Sequence, residues 1–224
     1  MRYRIAMIDD SLGSVDLFRL ITNSYSGHYK LFIDNRNFPY SIRTNRPLTE
    51  EGRLDKIPGD FYICSNPSMA INIKKPGLID GLERFYDDFK GGSIITNKLF
   101  KSYLENKFKN ARVIDGQLLD NQVQIFNIDR YIISNILNNY IGEGENVYFL
   151  TSNSYVLKNY ILHRYKDKNI KFLGDYILKD LEDLGLKKGS SDSLRYYVTG
   201  NRIGVYTALE DYYKESIKVK TFNV

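Results

Sequence analysis

The sequence predicts an α/β protein of largely parallel sheet. Two observations carry the prediction. Short apolar runs alternate with longer amphipathic segments from end to end. Small polar residues follow nearly every apolar run, where the strands of such a fold end and its ligands collect. The 224 residues, 42% of them hydrophobic, are enough to bury a substantial core.

The elements follow in order. "YRIAMI" reads as a buried strand and "SVDLFRLITNSY" as the helix after it. "YKLFID" and "DFYICS" are the next strands, separated by the longest irregular stretch, "SIRTNRPLTEEGRLDKIPG". "PGLIDGLERFYDDF" reads as a helix with Pro near its start. Then come strand "GSIIT" with helix "NKLFKSYLENKFK", and strand "ARVIDG" with helix "IDRYIISNILNNYIG". Strand "NVYFLTS" precedes helix "NSYVLKNYILHRYK", and strand "IKFLG" precedes helix "DYILKDLEDLG". Strand "LRYYVTG", helix "GVYTALEDYYK" and strand "IKVKTF" close the chain. No short-period repeat or low-complexity linker interrupts this order.

The strand tips carry Asp9, Asp10 and Ser11; Asp34 and Asn35; Cys64, Ser65 and Asn66; Thr96 and Asn97; Asp115; Thr151, Ser152 and Asn153; and Thr199, Gly200 and Asn201. Taken one by one, these are preferred helix N-caps. Taken together, they suit a polar ligand bearing a carboxylate.

Composition narrows the function. The net charge is +5, but Lys and Arg are interleaved with Asp and Glu, as on solvated faces, so a nucleic-acid partner is disfavoured. A single Cys rules out an intrachain disulfide and a Cys-rich zinc site. His28 and His163 lack metal-ligand spacing. No apolar run reaches the ~18 residues of a membrane span, and "MRYRIAMIDD" meets charge too early for a signal peptide. A cytoplasmic protein with no membrane partner is expected.

The start "IDDSLGS" admits three readings. Paired Asp after a first strand holds Mg²⁺ in phosphotransfer receivers and in haloacid-dehalogenase-like phosphatases. The phosphatase pattern needs Asp-x-Asp and later acids, whereas Thr151 and Thr199 stand at the late tips. The receiver needs an Asp where Cys64 stands.

The third reading runs along the whole chain. "IAMIDDSLGSVDLFRLI" followed by "YKLFIDNRNFPYSIRT" resembles the opening of the glutamate racemases. Asp10-Ser11 match the first motif, and Asp34 with Pro39-Tyr40-Ser41 match the second, Ser41 replacing Gly. "FYICSNPS" resembles the Cys-Asn-Thr motif, and "GGSIITNKLFKS" the segment that opens the second lobe, with Thr96 and Ser102 on its marks. "NVYFLTSNSYVLKNYI" resembles the second cysteine motif, with Thr151 in place of Cys, Ser152 of Thr and Asn153 of His. Gln124 stands nearest the family's acidic residue, and "LRYYVTGNRIGVYTALEDYYKESIKVKTF" resembles the C-terminal part.

The resemblance implies a first lobe of residues 1–88 plus 176–224 and a second of 89–175, with the site between them. It implies a reaction without cofactor or metal, in which a thiolate takes the Cα proton of glutamate, aspartate or a relative, and a second thiol serves the opposite face. Cys64, Asp10 and Thr151 are the implied catalytic residues. Ser11, Pro39, Tyr40, Ser41, Ser65, Asn66, Thr96, Ser152 and Asn153 are the implied substrate contacts. The implied partners are a small amino acid or dicarboxylate and a second copy of the chain in a homodimer. A threonine hydroxyl is far less acidic than a thiol near ~8.5. Three outcomes follow: slow or one-handed racemisation, one-sided proton transfer, or binding of a small carboxylate or a protein partner without turnover.

Overall fold

The computed structural model describes residues 3–35, 54–124, 128–142 and 146–223. Pro39, Tyr40 and Ser41 lie outside the described residues. The strands are β1 (Arg4–Asp9), β2 (His28–Ile33), β3 (Phe61–Cys64), β4 (Leu78–Ile79), β5 (Ser93–Thr96), β6 (Arg112–Asp115), β7 (Asn146–Phe149), β8 (Asn169–Phe172), β9 (Ser193–Val198) and β10 (Val219–Thr221). The helices are α1 (Ser14–Ser24), α2 (Pro67–Ala70), α3 (Leu82–Asp88), α4 (Lys98–Lys107), α5 (Gln117–Gln124), α6 (Arg130–Tyr140), α7 (Asn153–Val156), α8 (Lys158–Arg164), α9 (Leu173–Asp183) and α10 (Arg202–Tyr213).

The strands form two sheets. One has the order β10-β9-β2-β1-β3-β4, the other β6-β5-β7-β8. Every pairing within them is parallel. The first sheet takes strands from both ends of the chain and the second from its middle. Parallel strands are covered on both faces, so they read as continuous apolar runs. β1 accordingly buries every residue from Ile5 to Asp9. α1 packs on one face of the first sheet, where the Phe18 ring meets Tyr29 at 6.3 Å and Tyr196 at 5.4 Å. Under the second sheet Phe85 gathers Phe89, Phe108, Tyr148 and Tyr176 within 6.1 Å.

Two segments and two short helices differ from the sequence reading. The segment read as one helix from Pro76 is the edge strand β4, a turn and α3. Gly81 makes the turn at φ 71°, and a Cβ there would lie 2.9–3.0 Å from Tyr176 and the Ile177 backbone of α9. That close approach, with the left-handed backbone, requires glycine. The segment read as one helix from Asn153 breaks into α7 and α8 at Leu157. The short helices α2 and α5 were not anticipated.

Candidate functional site

The carboxyl ends of the two sheets face each other, and side chains cross between them. The centre is Asp9, the last residue of β1, which is fully buried. Its Oδ1 accepts from the Asp10 N–H at 2.8 Å, the Ser11 N–H at 3.0 Å, the Ser11 hydroxyl at 3.0 Å and the Ser152 hydroxyl at 3.1 Å. Its Oδ2 accepts from the Ser65 hydroxyl. Ser152 belongs to the second lobe, so this carboxylate ties the lobes together. Burial pushes the Asp9 carboxyl up, and the hydroxyls of Ser65, Ser11 and Ser152 pull it part of the way back.

Asp10 is also buried, and its Oδ1 accepts from Asn66 Nδ2 at 2.7 Å. Asn66 caps α2 through Oδ1 and takes a 3.3 Å bond from Asn97 Nδ2, the cap of α4. Asn201 likewise caps α10. The capping role thus holds for these three tips. Ser152 sits at a cap position too, but its hydroxyl turns to Asp9 and to Ser11, 3.0 Å away. Thr96 donates to the Leu150 carbonyl at 3.4 Å, and Thr199 donates to Asp34.

Strand register separates Cys64 from Ser65. Cys64 pairs with Ile8 across β1 and β3. Successive side chains of a strand point to opposite faces, so Cys64 shares the face of Ile8, and Ser65 shares the face of Asp9. The hydrogen bond from Ser65 to Asp9 follows from this. The Cys64 thiol is fully buried and donates to the Asn66 carbonyl at 3.3 Å. Burial, and next the Asp9 carboxylate, push its pKa well up, so the thiol stays protonated.

The second lobe supplies a different group. Asp120, on α5, is buried with Thr151 and Asn153 beside it. Burial raises its carboxyl to about 7, against the hydrogen-bonding pull of Thr151 and Asn153. Among the described residues its Oδ1 has no hydrogen-bond partner, and neither have Asn153 Oδ1 and the Tyr140 hydroxyl. Thr151 Oγ1 accepts the Ser154 N–H at 3.3 Å. At the seam between the lobes, a Cβ on Gly13 would lie 2.3 Å from Asn153 Oδ1 and 2.5 Å from Asn153 Cα.

The structure therefore gathers Asp10, Ser11, Ser65, Asn66, Ser152 and Asn153 around the seam, with Thr151 beside Asp120. Two residues outside the sequence prediction are central. Asp9, rather than its neighbour Asp10, carries the hub, because the strand runs one residue further than the apolar run shows. Asp120 is a buried acid of the segment before Gln124, and the signal for it was the helical spacing of Leu119 and Val123, both buried, around it. Among the described residues, no three His, Cys, Asp or Glu side chains are grouped as metal ligands would be.

No protein-family model and no curated protein matches the chain by sequence. Solved structures do. A glutamate racemase from Thermus thermophilus, in complex with β-chloro-D-alanine, superposes with TM-score 0.74 at 14% identity, over 100% of this chain and 98% of that one. A Bacillus anthracis glutamate racemase gives 0.70 at 15% identity, over 98% and 97%. One from Francisella tularensis, in complex with D-glutamate, gives 0.68 at 14%, over 99% and 97%. The chain has the two-lobed fold of the glutamate racemases over nearly its whole length.

Proposed function

We propose that this protein binds a small amino acid between its lobes and does not turn it over by thiol chemistry. One observation carries the reading: the Ser65 hydroxyl is what meets Asp9, Thr151 is what stands beside Asp120, and the Cys64 thiol is fully buried and spent on the Asn66 carbonyl. A serine or threonine hydroxyl is too weak an acid to serve as the base for a Cα proton without strong activation. The ligand class follows from the unmet groups. Asp120 Oδ1 and Asn153 Oδ1 are buried acceptors that lack donors among the described residues, and an ammonium group supplies them. The neighbouring hydroxyls and amides suit the ligand's carboxylate. The racemases of the same fold from Thermus and Francisella hold β-chloro-D-alanine and D-glutamate, both amino acids.

The test is calorimetric titration with both enantiomers of glutamate and aspartate. At least one binds saturably, and Asp120→Asn weakens it about tenfold, as loss of a charge-assisted hydrogen bond does. The affinity rises as pH increases through about 7, because the ammonium favours the ionised Asp120. Absence of saturable binding by all four overturns the reading.

A second reading has its own support. A buried carboxyl titrating at about 7 is tuned for general acid–base work. One-sided proton transfer by Asp120, without Cys64, is the enzymatic alternative.

A further inference from the structure

A cavity lies at the opposite end of the first sheet, where β1, β2 and β9 begin, and it is built from residues other than those of the seam. It has a volume of about 190 Å³ and is lined by Arg4, Ile5, His28, Tyr29, Lys30, Pro58, Ser193 and Arg195. Strand register explains its charge. Arg4 pairs with His28, and His28 with Ser193, across β1, β2 and β9. Two residues on, Ala6 pairs with Lys30, and Lys30 with Arg195. Residues two apart on a strand share a face, so the Arg4, His28, Ser193, Lys30 and Arg195 side chains all stand on one side of the sheet. That side is the one opposite α1, whose Phe18 packs on the alternate residues Tyr29 and Tyr196.

The charges on this face are unevenly matched. Arg4 is neutralised by Asp60 at 2.8 Å. The His28 ring meets the Ser193 hydroxyl at 3.0 Å. Among the described residues, neither Lys30 nor Arg195 has an ion-pair partner. Yet the two cations are direct cross-strand partners, an arrangement that costs stability when nothing lies between them. An anion seated there removes the repulsion and gains two charge-assisted contacts.

We propose that this cavity is an oxyanion site for a phosphate group, held by Lys30 and Arg195, with the His28–Ser193 pair as its hydrogen-bonding wall. The arginine fork matches tetrahedral oxygens, and the lysine adds a point charge.

The test is titration of the full chain with inorganic phosphate and, separately, with glycerol phosphate, against chloride at matched ionic strength. Wild-type protein saturates with one or both. Saturation by phosphate alone marks a free-anion site, and saturation by glycerol phosphate marks a head-group site. Lys30→Gln and Arg195→Gln each weaken binding about tenfold. In phosphate-free buffer the double variant melts no lower than wild type, because a like-charge pair has been removed, and phosphate raises the melting temperature of wild type only. The site is overturned if neither compound saturates beyond the chloride control, or if the double variant binds as wild type does.

Discussion

The two halves of the seam hold buried carboxyls in opposite states. On the first-lobe side, Asp9 accepts from five donors, one of them Ser152 of the second lobe. On the second-lobe side, Asp120 keeps one oxygen unpartnered, beside an equally unpartnered Asn153 oxygen. Buried polar groups are satisfied almost everywhere in folded proteins, so the exceptions carry information. Asp9 is saturated by the protein itself and acts as a latch. Asp120 keeps an oxygen without a donor among the described residues, the oxygen that the proposed ammonium would meet.

The sharpest way to break this contrast is to remove the latch. Asp9→Ala strands three hydroxyls and two backbone N–H groups in the interior. It lowers the unfolding free energy by about 3 kcal/mol or more in urea titration. Asp120→Asn shows the reverse sign. The ordinary carboxyl value is 3.8 and the folded value about 7, so the folded state holds a proton that the unfolded chain has lost over that range. Stability contributed by this proton is full below about pH 4 and is lost as pH rises through about 7. The variant therefore flattens the fall in melting temperature between pH 4 and 7 and gains most at pH 8.

Smaller effects sharpen the picture of the seam. Gly13→Ala drives a methyl into Asn153 and costs about 1–3 kcal/mol, read by the same urea titration, through overpacking between the lobes. Cys64→Ala costs about 1 kcal/mol, the scale of a small buried truncation, and leaves amino-acid affinity unchanged, because the thiol lies on the other sheet face. Ser65→Ala, by contrast, costs more than Cys64→Ala although it removes a smaller, less polarisable atom, since it takes a donor from Asp9.

The alternation of strand and helix was legible because β1, β5 and β7 are buried on both faces and show as unbroken apolar runs. The site was legible only as a neighbourhood. Adjacent residues at a strand tip face opposite ways, so choosing Asp9 over Asp10, or Ser65 over Cys64, needs the register to a single residue, and an apolar run does not mark its last residue that closely. Asp120 was hidden for another reason: α5 is short, and its partners Thr151 and Asn153 come from the turn after β7 and from α7, some thirty residues later.

The central claim is that the seam works without a thiol. Cα-proton exchange in D₂O, followed by NMR with each enantiomer of glutamate and aspartate, tests it for wild type and Cys64→Ala. The account predicts that the two proteins behave alike, with no exchange that depends on Cys64. Exchange in wild type that disappears in Cys64→Ala would contradict it and make the buried thiol a working base.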